Sequence, residues 1–324
     1  MNRSTHRTVV VAGLANIAIA ITKFAAGIAV GSAAMLAEAA HSVADTLNQG
    51  FLLTSLHRST RPADPMHPFG YGKERYFWSL LAAVGIFVAG AGFSIFEGVL
   101  SIREGSRLES PLIAYVVLGV AFVGEGSALA RALYQVRREA SRSGRSLREQ
   151  ALGSPDTTIR TALFEDTSAL IGLVFAAAGL TLHLVTGSPV WDGGASILIG
   201  LLLVAVAYSL GRTSMHMLIG QAAAPEEQRV IAEEIEATSG IDRVLDLLTM
   251  RLGPEDLIVG AKVAFTDDIS ADRAEDLADD VDRRLRERLP IVRHVFLDPT
   301  QDGGPARETA PGRPRSPAPS ETGP

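Results

Sequence analysis

Leu36-Ala37-Glu38-Ala39-Ala40-His41-Ser42-Val43-Ala44-Asp45-Thr46-Leu47-Asn48-Gln49 decides the reading of this chain. The stretch lies inside a run of small and apolar residues from Gly31 to Leu56, long enough to cross a bilayer. At helical spacing Glu38, His41, Asp45 and Asn48 follow one another by three, four and three residues, so they stack on one face. An imidazole one turn from a carboxylate is a ligand pair suited to a divalent cation such as zinc. Ionisable groups at membrane depth cost about 2.5–3.5 kcal/mol each on insertion scales and mark substrate or ion paths. A buried helix packed on a polar neighbour would also carry such a face, but these groups need a partner at that depth. The expected partner is a transported metal ion.

The length of 324 residues allows two domains. Mean hydropathy is positive, yet the charges sit in a few blocks, which predicts a membrane part followed by a soluble part. Cysteine is absent, so disulfides and thiolate ligands are excluded, and any metal is held by imidazole, carboxylate, amide or water. The net charge of −6 conceals arginine-rich connections and an acidic C-terminal region. An apolar run begins at Thr8 without a small-residue cleavage site before soluble sequence, so the first segment reads as a signal-anchor helix.

Six apolar spans follow, at about Thr8–Val30, Gly31–His57, Tyr76–Ile102, Pro111–Tyr134, Thr158–Val185 and Val190–Leu210. Each is near the roughly 20 residues a membrane helix needs. The connections after spans two and four hold most of the loop Arg and Lys, including Arg58, Arg61, Lys73, Arg75, Arg137, Arg138, Arg142, Arg145 and Arg148. The link after span three has Arg103 and Arg107, offset by Glu104 and Glu109. By the positive-inside rule both termini are cytoplasmic, in a multi-pass protein of the inner (plasma) membrane. From Pro225 the pattern becomes helix Glu226–Ser239, strands Arg243–Leu252 and Leu257–Phe265, helix Asp272–Leu289 and strand Ile291–Leu297. The expected fold class is a six-helix, all-α membrane transporter domain plus a small cytoplasmic α+β domain of order α-β-β-α-β. The expected boundaries are an arm at 1–7, the membrane domain at 8–220, the soluble domain at 221–300 and a disordered tail at 301–324.

Span five opens with Ile159-Arg160-Thr161-Ala162-Leu163-Phe164-Glu165-Asp166-Thr167-Ser168, two adjacent carboxylates about two turns into an apolar helix. Asp166 lies about 12 Å and Asp45 about 18 Å from the cytoplasmic ends of their spans at helical rise, which are compatible depths. His41, Asp45 and Asp166 therefore form the expected core of one cation site. Its fourth ligand stays open between Glu165, a backbone oxygen and water. Glu165 points about 100° from Asp166, so both ligate only with distortion; it could instead pair with Asn16, Lys23 or another polar group.

The chain here resembles the cation diffusion facilitators, which export zinc and related divalent metals in exchange for protons. The resemblance rests on His41-x-x-x-Asp45, the connection Arg61-Pro62-Ala63-Asp64-Pro65-Met66-His67-Pro68-Phe69-Gly70-Tyr71-Gly72-Lys73-Glu74, the six spans and the α-β-β-α-β unit. It implies a homodimer, a tetrahedral transport site between spans two and five, and a dimerising cytoplasmic domain. The sequence departs from the family pattern in three places. Aligning the span-five motif on Asp166 puts Ala162 where a His or Asp is usual, and the Glu165-Asp166 pair is similar to the mitochondrial zinc-transporter branch. The family's loop metal site keeps Asp64 and His67, but Tyr71 replaces its second His, so the loop site is expected to be weak or absent. The cytoplasmic region has only His294, with Glu275 and Phe296-Leu297-Asp298-Pro299 where His-bearing motifs are usual, so no binuclear metal site is expected there.

The resulting expectation is a transporter, not an enzyme, with no resident cofactor. Its substrates are protons and a divalent metal ion, zinc ahead of manganese, iron and cobalt; its surroundings are the lipid bilayer and a second copy of itself. Metal binding requires neutral His41 and ionised Asp45 and Asp166, so protons compete with metal, and His41 is the natural coupling group. A membrane metalloenzyme is disfavoured because His-Glu-x-x-His is missing. A non-transporting metal-binding scaffold or sensor is the alternative. Nucleic acid is not an expected partner, since the soluble region is acidic. Glu125, Glu97, His183, His216 and His6 are not assigned as ligands; Glu125 either lines the cavity or hydrogen-bonds to a neighbouring helix, and Glu97 and His183 are expected near water at the outer ends.

Overall fold

The computed structural model describes residues 3–106, 108–143, 157–266 and 269–300. The chain divides at Ile219/Gly220 into two compact units. The first comprises helices α1 (Arg3–Val30), α2 (Ala33–Ser59), α3 (Glu74–Gly85), a π-helical segment (Ile86–Gly92), α4 (Phe93–Glu104), α5 (Pro111–Ser143), α6 (Thr157–Thr186) and α7 (Val190–Ile219). Helices α3 and α4 and the segment between them form one rod, which gives the expected order of six. Four stretches among the described residues are long and apolar enough to cross a membrane: Glu74–Glu104, Pro111–Arg138, Glu165–Thr186 and Val190–Ile219. Asn16–Val30 is a shorter apolar helix. Helix α2 is not among the four, because Glu38, His41, Asp45, Asn48 and Gln49 interrupt its apolar run.

Helix ends differ from the expectation where polar residues continue a helix beyond its apolar stretch. Helix α1 begins at Arg3, α5 runs on to Ser143 and α7 to Ile219. The π-helical turn in span three is not legible from hydropathy; wide turns of this kind insert one extra residue and often mark functional regions. The core joins α1, α2, α6 and α7 through Val30, Ala34, Met35, Leu173, Leu180, Ile199 and Leu203. Helices α4 and α7 approach closely at Gly98 and Gly193, where a Cβ on either would collide with the other's carbonyl.

Asp192, fully buried in the first turn of α7, fixes the start of α2. Its Oδ1 accepts from Ser32 Oγ at 2.6 Å and its Oδ2 from the Ala33 amide at 2.6 Å. Ser32 in turn caps the helix by accepting from the Met35 amide at 3.2 Å.

The second unit has the order α8 (Pro225–Glu236), β1 (Ile241–Gly253), β2 (Asp256–Phe265), α9 (Ala271–Arg288) and β3 (Val292–Pro299). Strand β2 is central, antiparallel to β1 and parallel to β3. Its Leu257, Val259, Ala261 and Val263 alternate onto one buried face, where Ile231 and Ile235 of α8 and Val281 and Leu285 of α9 cover them. On the opposite face Leu248 and Phe296 flank Gly260, and both are more than half exposed in the single chain. The acidic face of α9 is partly paired within the unit, Asp280 with Arg283 and Asp282 with Arg286 at 2.9 Å, and Arg284 reaches Glu234 of α8 at 2.6 Å. Asp267, Asp268, Arg107, Arg145, Arg148 and the tail from 301 lie outside the described residues.

Candidate functional site

The polar face of α2 forms as its spacing predicts. Glu38, His41 and Asn48 are buried, and Asp45 keeps 18% side-chain exposure. His41 Nε2 lies 3.4 Å from Asp45 Oδ2 one turn on. Helix α6 runs alongside and brings Glu165 to the same face, where its Oε1 accepts from Asn48 Nδ2 at 2.8 Å. The partner of Glu165 is therefore Asn48, rather than Asn16 or Lys23.

A cavity of about 270 Å³ opens between α1, α2, α5 and α6. Asn16, Ser42, Asp45, Gln49, Glu125, Glu165 and Asp166 supply its polar lining. Glu165 and Asp166 thus border one space despite their divergent directions on the helix. His41 sits behind Asp45 and is not part of that lining. Among the described residues no three His, Asp or Glu side chains are already gathered in a cluster able to hold a metal ion. The arrangement is an acidic chamber roomy enough for several waters, with the His41 imidazole outside its lining and 3.4 Å from Asp45. Its donors are mostly oxygens, which suit hard and borderline divalent cations.

Two groups near the chamber take places that the sequence reading had left open. Glu125 of α5 lines it, a placement visible only once α5 is set beside α6. Lys23 of α1 is buried, its Nζ 3.1 Å from Glu38 Oε2 and 2.9 Å from Ser42 Oγ. A Lys in an apolar span signals a buried counter-charge, but sequence does not say which carboxylate it meets. At the other end of α6, His183 is 5% exposed and its Nδ1 has no hydrogen-bond partner among the described residues. This corrects the expected watery position, because packing of α6 against α7 encloses it.

In the α2–α3 connection Asp64 is held locally. Its Oδ1 accepts from the amides of Met66 at 3.0 Å and His67 at 2.7 Å, and its Oδ2 accepts from the Tyr71 hydroxyl at 2.6 Å. The Tyr71 hydrogen bond, helped by the His67 amide, holds the Asp64 carboxyl below its ordinary range; the same bond pushes the Tyr71 phenol up. His67 Nδ1 stands 3.4 Å from Asp64 Oδ1, and its ring lies 4.3 Å from that of Tyr71. The Arg61 guanidinium also lies over the Tyr71 ring, 4.3 Å from its centre. In the second unit Glu275 is exposed on α9, and Asp298 Oδ2 lies 3.9 Å from Lys262 Nζ.

Comparison with known proteins agrees with this architecture. Residues 9–219 match the model of the cation efflux transmembrane domain, and residues 223–298 that of the cation efflux protein cytoplasmic domain. The chain belongs to the cation efflux family, the cation diffusion facilitators, and is related to its mitochondrial zinc transporters. It is 36% identical over 243 residues to the mitochondrial proton-coupled zinc antiporter SLC30A9 of Homo sapiens, covering 75% of this chain and 43% of that protein. It is 34% identical over 264 residues to metal tolerance protein C4 of Arabidopsis thaliana, covering 82% of this chain and 58% of that protein. A more distant relative, the manganese efflux system protein MneS of Bacillus subtilis, is 25% identical over 276 residues, with 83% and 87% covered. The chain spans about half the length of the more similar curated relatives it matches.

Proposed function

We propose that the protein carries a divalent metal cation, zinc foremost, out of the cytoplasm in exchange for protons. The observation that carries this reading is the acidic chamber, where Asp45 of α2 meets Glu165 and Asp166 of α6 inside an apolar helix bundle. Asp45, Asp166 and His41 are the proposed ligands, with Glu165 the fourth once it exchanges its bond to Asn48 for the cation. The closure needed is a short movement of α6 against α2, as alternating access requires. Protons compete for the same lone pairs, so proton influx releases metal. The zinc assignment is supported by the imidazole and by the relatives named as zinc antiporters. The oxygen-rich lining and the relative named for manganese efflux keep manganese, iron and cobalt as test ions.

We further propose a homodimer in the plasma (inner) membrane with both termini cytoplasmic. The Arg-rich connections support the orientation, and the exposed Leu248 and Phe296 support a partner on the open face of the sheet. The domains divide into an arm at 1–7, the membrane domain at 8–220, the soluble domain at 221–300 and the tail at 301–324. The loop pair Asp64 and His67 is proposed as a weak metal site, because the Tyr71 hydroxyl already occupies one Asp64 oxygen.

Flux in proteoliposomes under a pH gradient tests the reading, with Zn²⁺, Mn²⁺, Fe²⁺ and Co²⁺ as ions and Asp45→Asn, Asp166→Asn and Glu165→Gln as variants. Proton-coupled flux lost in both Asp variants is the expected result. A folded, correctly oriented wild type that moves none of these ions would replace transport with the scaffold or sensor reading.

A further inference from the structure

The transport-site reading leaves Glu38 and Lys23 without a role, and both are buried beside His41. Glu38 uses only one of its oxygens: Oε2 accepts from Lys23 Nζ, while Oε1 has no hydrogen-bond partner among the described residues. His41 is in the matching condition. Its Nε2 faces Asp45, while its Nδ1 has no hydrogen-bond partner among the described residues. Glu38 lies three residues before His41, a spacing at which helical side chains meet. Both orphan atoms border the same spot on α6, at Gly172: a Cβ there would collide with Glu38 Oε1 and stand 3.8 Å from His41 Nδ1. A buried carboxylate oxygen and a buried ring nitrogen, both without a partner among the described residues, border one spot and become a complementary pair when that nitrogen carries the proton.

We propose that Glu38, anchored by Lys23, is the positioning residue for His41, accepting a hydrogen bond from Nδ1–H so that Nε2 presents its lone pair to the transported cation. The inference rests on the transport-site reading given above. An imidazole has two tautomers, and only one leaves Nε2 free beside Asp45. A carboxylate on the far nitrogen selects that tautomer, fixes the ring plane and raises ligand basicity. Lys23 Nζ, 3.1 Å from Oε2, holds one oxygen of Glu38 and leaves the other free to meet the ring. The missing Cβ at Gly172 leaves room for the carboxylate to turn toward the ring.

The test uses the full chain in nanodiscs with ¹⁵N-labelled histidine, the His41 signals being assigned by their loss in His41→Asn. In wild type without metal, Nδ1 is expected to carry the proton; added Zn²⁺ then shifts Nε2. A wild type with the proton on Nε2 would overturn the proposal whatever the variants do. The paired change Lys23→Met with Glu38→Leu removes both charges together, so no uncompensated ion is left behind. It is expected to release the tautomer and to weaken Zn²⁺ binding, read by calorimetry, by about 10- to 100-fold. Glu38→Gln retains an oxygen acceptor and is expected to restore the Nδ1–H tautomer. Unchanged tautomer and affinity in the paired variant, with Asp45→Asn weakened, would sink the positioning role and leave the site intact. Zn²⁺ affinity unchanged in Asp45→Asn as well would instead remove the transport-site reading beneath it.

Discussion

Lys23 Nζ of α1 lies 3.1 Å from Glu38 Oε2 of α2, with both side chains no more than 2% exposed. Ser42 completes the contact at 2.9 Å. The pair ties the first two helices together one turn from His41, so the ionic core of the bundle and its metal chemistry share one helix face. Buried pairs of this kind add little net stability over an apolar packing, but breaking one partner is costly.

Lys23→Met alone should therefore destabilise the folded protein by about 3–5 kcal/mol, because it strands the Glu38 carboxylate. Joined with Glu38→Leu it should recover most of that loss. Thermal unfolding in detergent of both singles and the pair, analysed as a double-mutant cycle, measures the coupling. Additive losses would show that the two groups act independently.

Gly172→Ala tests the close passage of α6 over Glu38. The added methyl has no space beside Oε1, so α6 must shift or the carboxylate must turn away. A cost of about 1–3 kcal/mol is expected from overpacking. Gly124→Ala on α5, where a Cβ meets open space, should leave stability nearly unchanged. Equal melting temperatures for the two variants would contradict the close fit.

Much of this was legible in the sequence because the membrane makes polar residues conspicuous. His41 and Asp45 announce themselves by spacing, and Glu165 and Asp166 by standing together in an apolar helix. The alternation in Leu257-Ile258-Val259-Gly260-Ala261-Lys262-Val263 marks the central strand directly. What stayed hidden depends on helix rotation and neighbour choice. Sequence shows Glu125 at membrane depth but not that it faces Asp45 across the chamber. It places Lys23 in a span without naming Glu38 as its partner, and nothing in it marks Asp192 as the acceptor for the start of a different helix. Such pairings are separated by many residues and follow from packing, which periodicity does not encode.

Asp192→Ala should loosen the start of α2. The change removes two hydrogen bonds, to Ser32 Oγ and the Ala33 amide, and leaves both donors buried. Loss of a cap costs about 0.5–2 kcal/mol, and the unpaired donors place this one toward the upper end. Asp192→Asn, which keeps one acceptor oxygen, should fall between wild type and Ala. Hydrogen exchange at Ala33 and Ala34 is the direct measurement: faster exchange is expected in Ala, and unaltered protection would show that the cap is dispensable.

Tyr71→His should convert the α2–α3 connection from a closed hydrogen-bonded turn into a metal-binding loop. In the wild type the Tyr71 hydroxyl engages Asp64 Oδ2, and this bond is the first cause of the lowered Asp64 carboxyl. A carboxyl lowered on folding stabilises the loop at pH values above its unfolded value, about 3.9, and that contribution is lost as pH falls through the folded value. Tyr71→Phe should therefore raise the Asp64 titration toward the ordinary range and let the loop loosen at higher pH, followed by ¹³C-carboxyl NMR. Tyr71→His also releases the oxygen and adds an imidazole beside His67, whose ring centre already lies 4.3 Å from that of Tyr71. With Asp45→Asn silencing the membrane site, this variant should bind one Zn²⁺ per chain more tightly than Tyr71→Phe in the same background. Equal binding by the two would mean that the loop geometry, and not the tyrosine, excludes the metal.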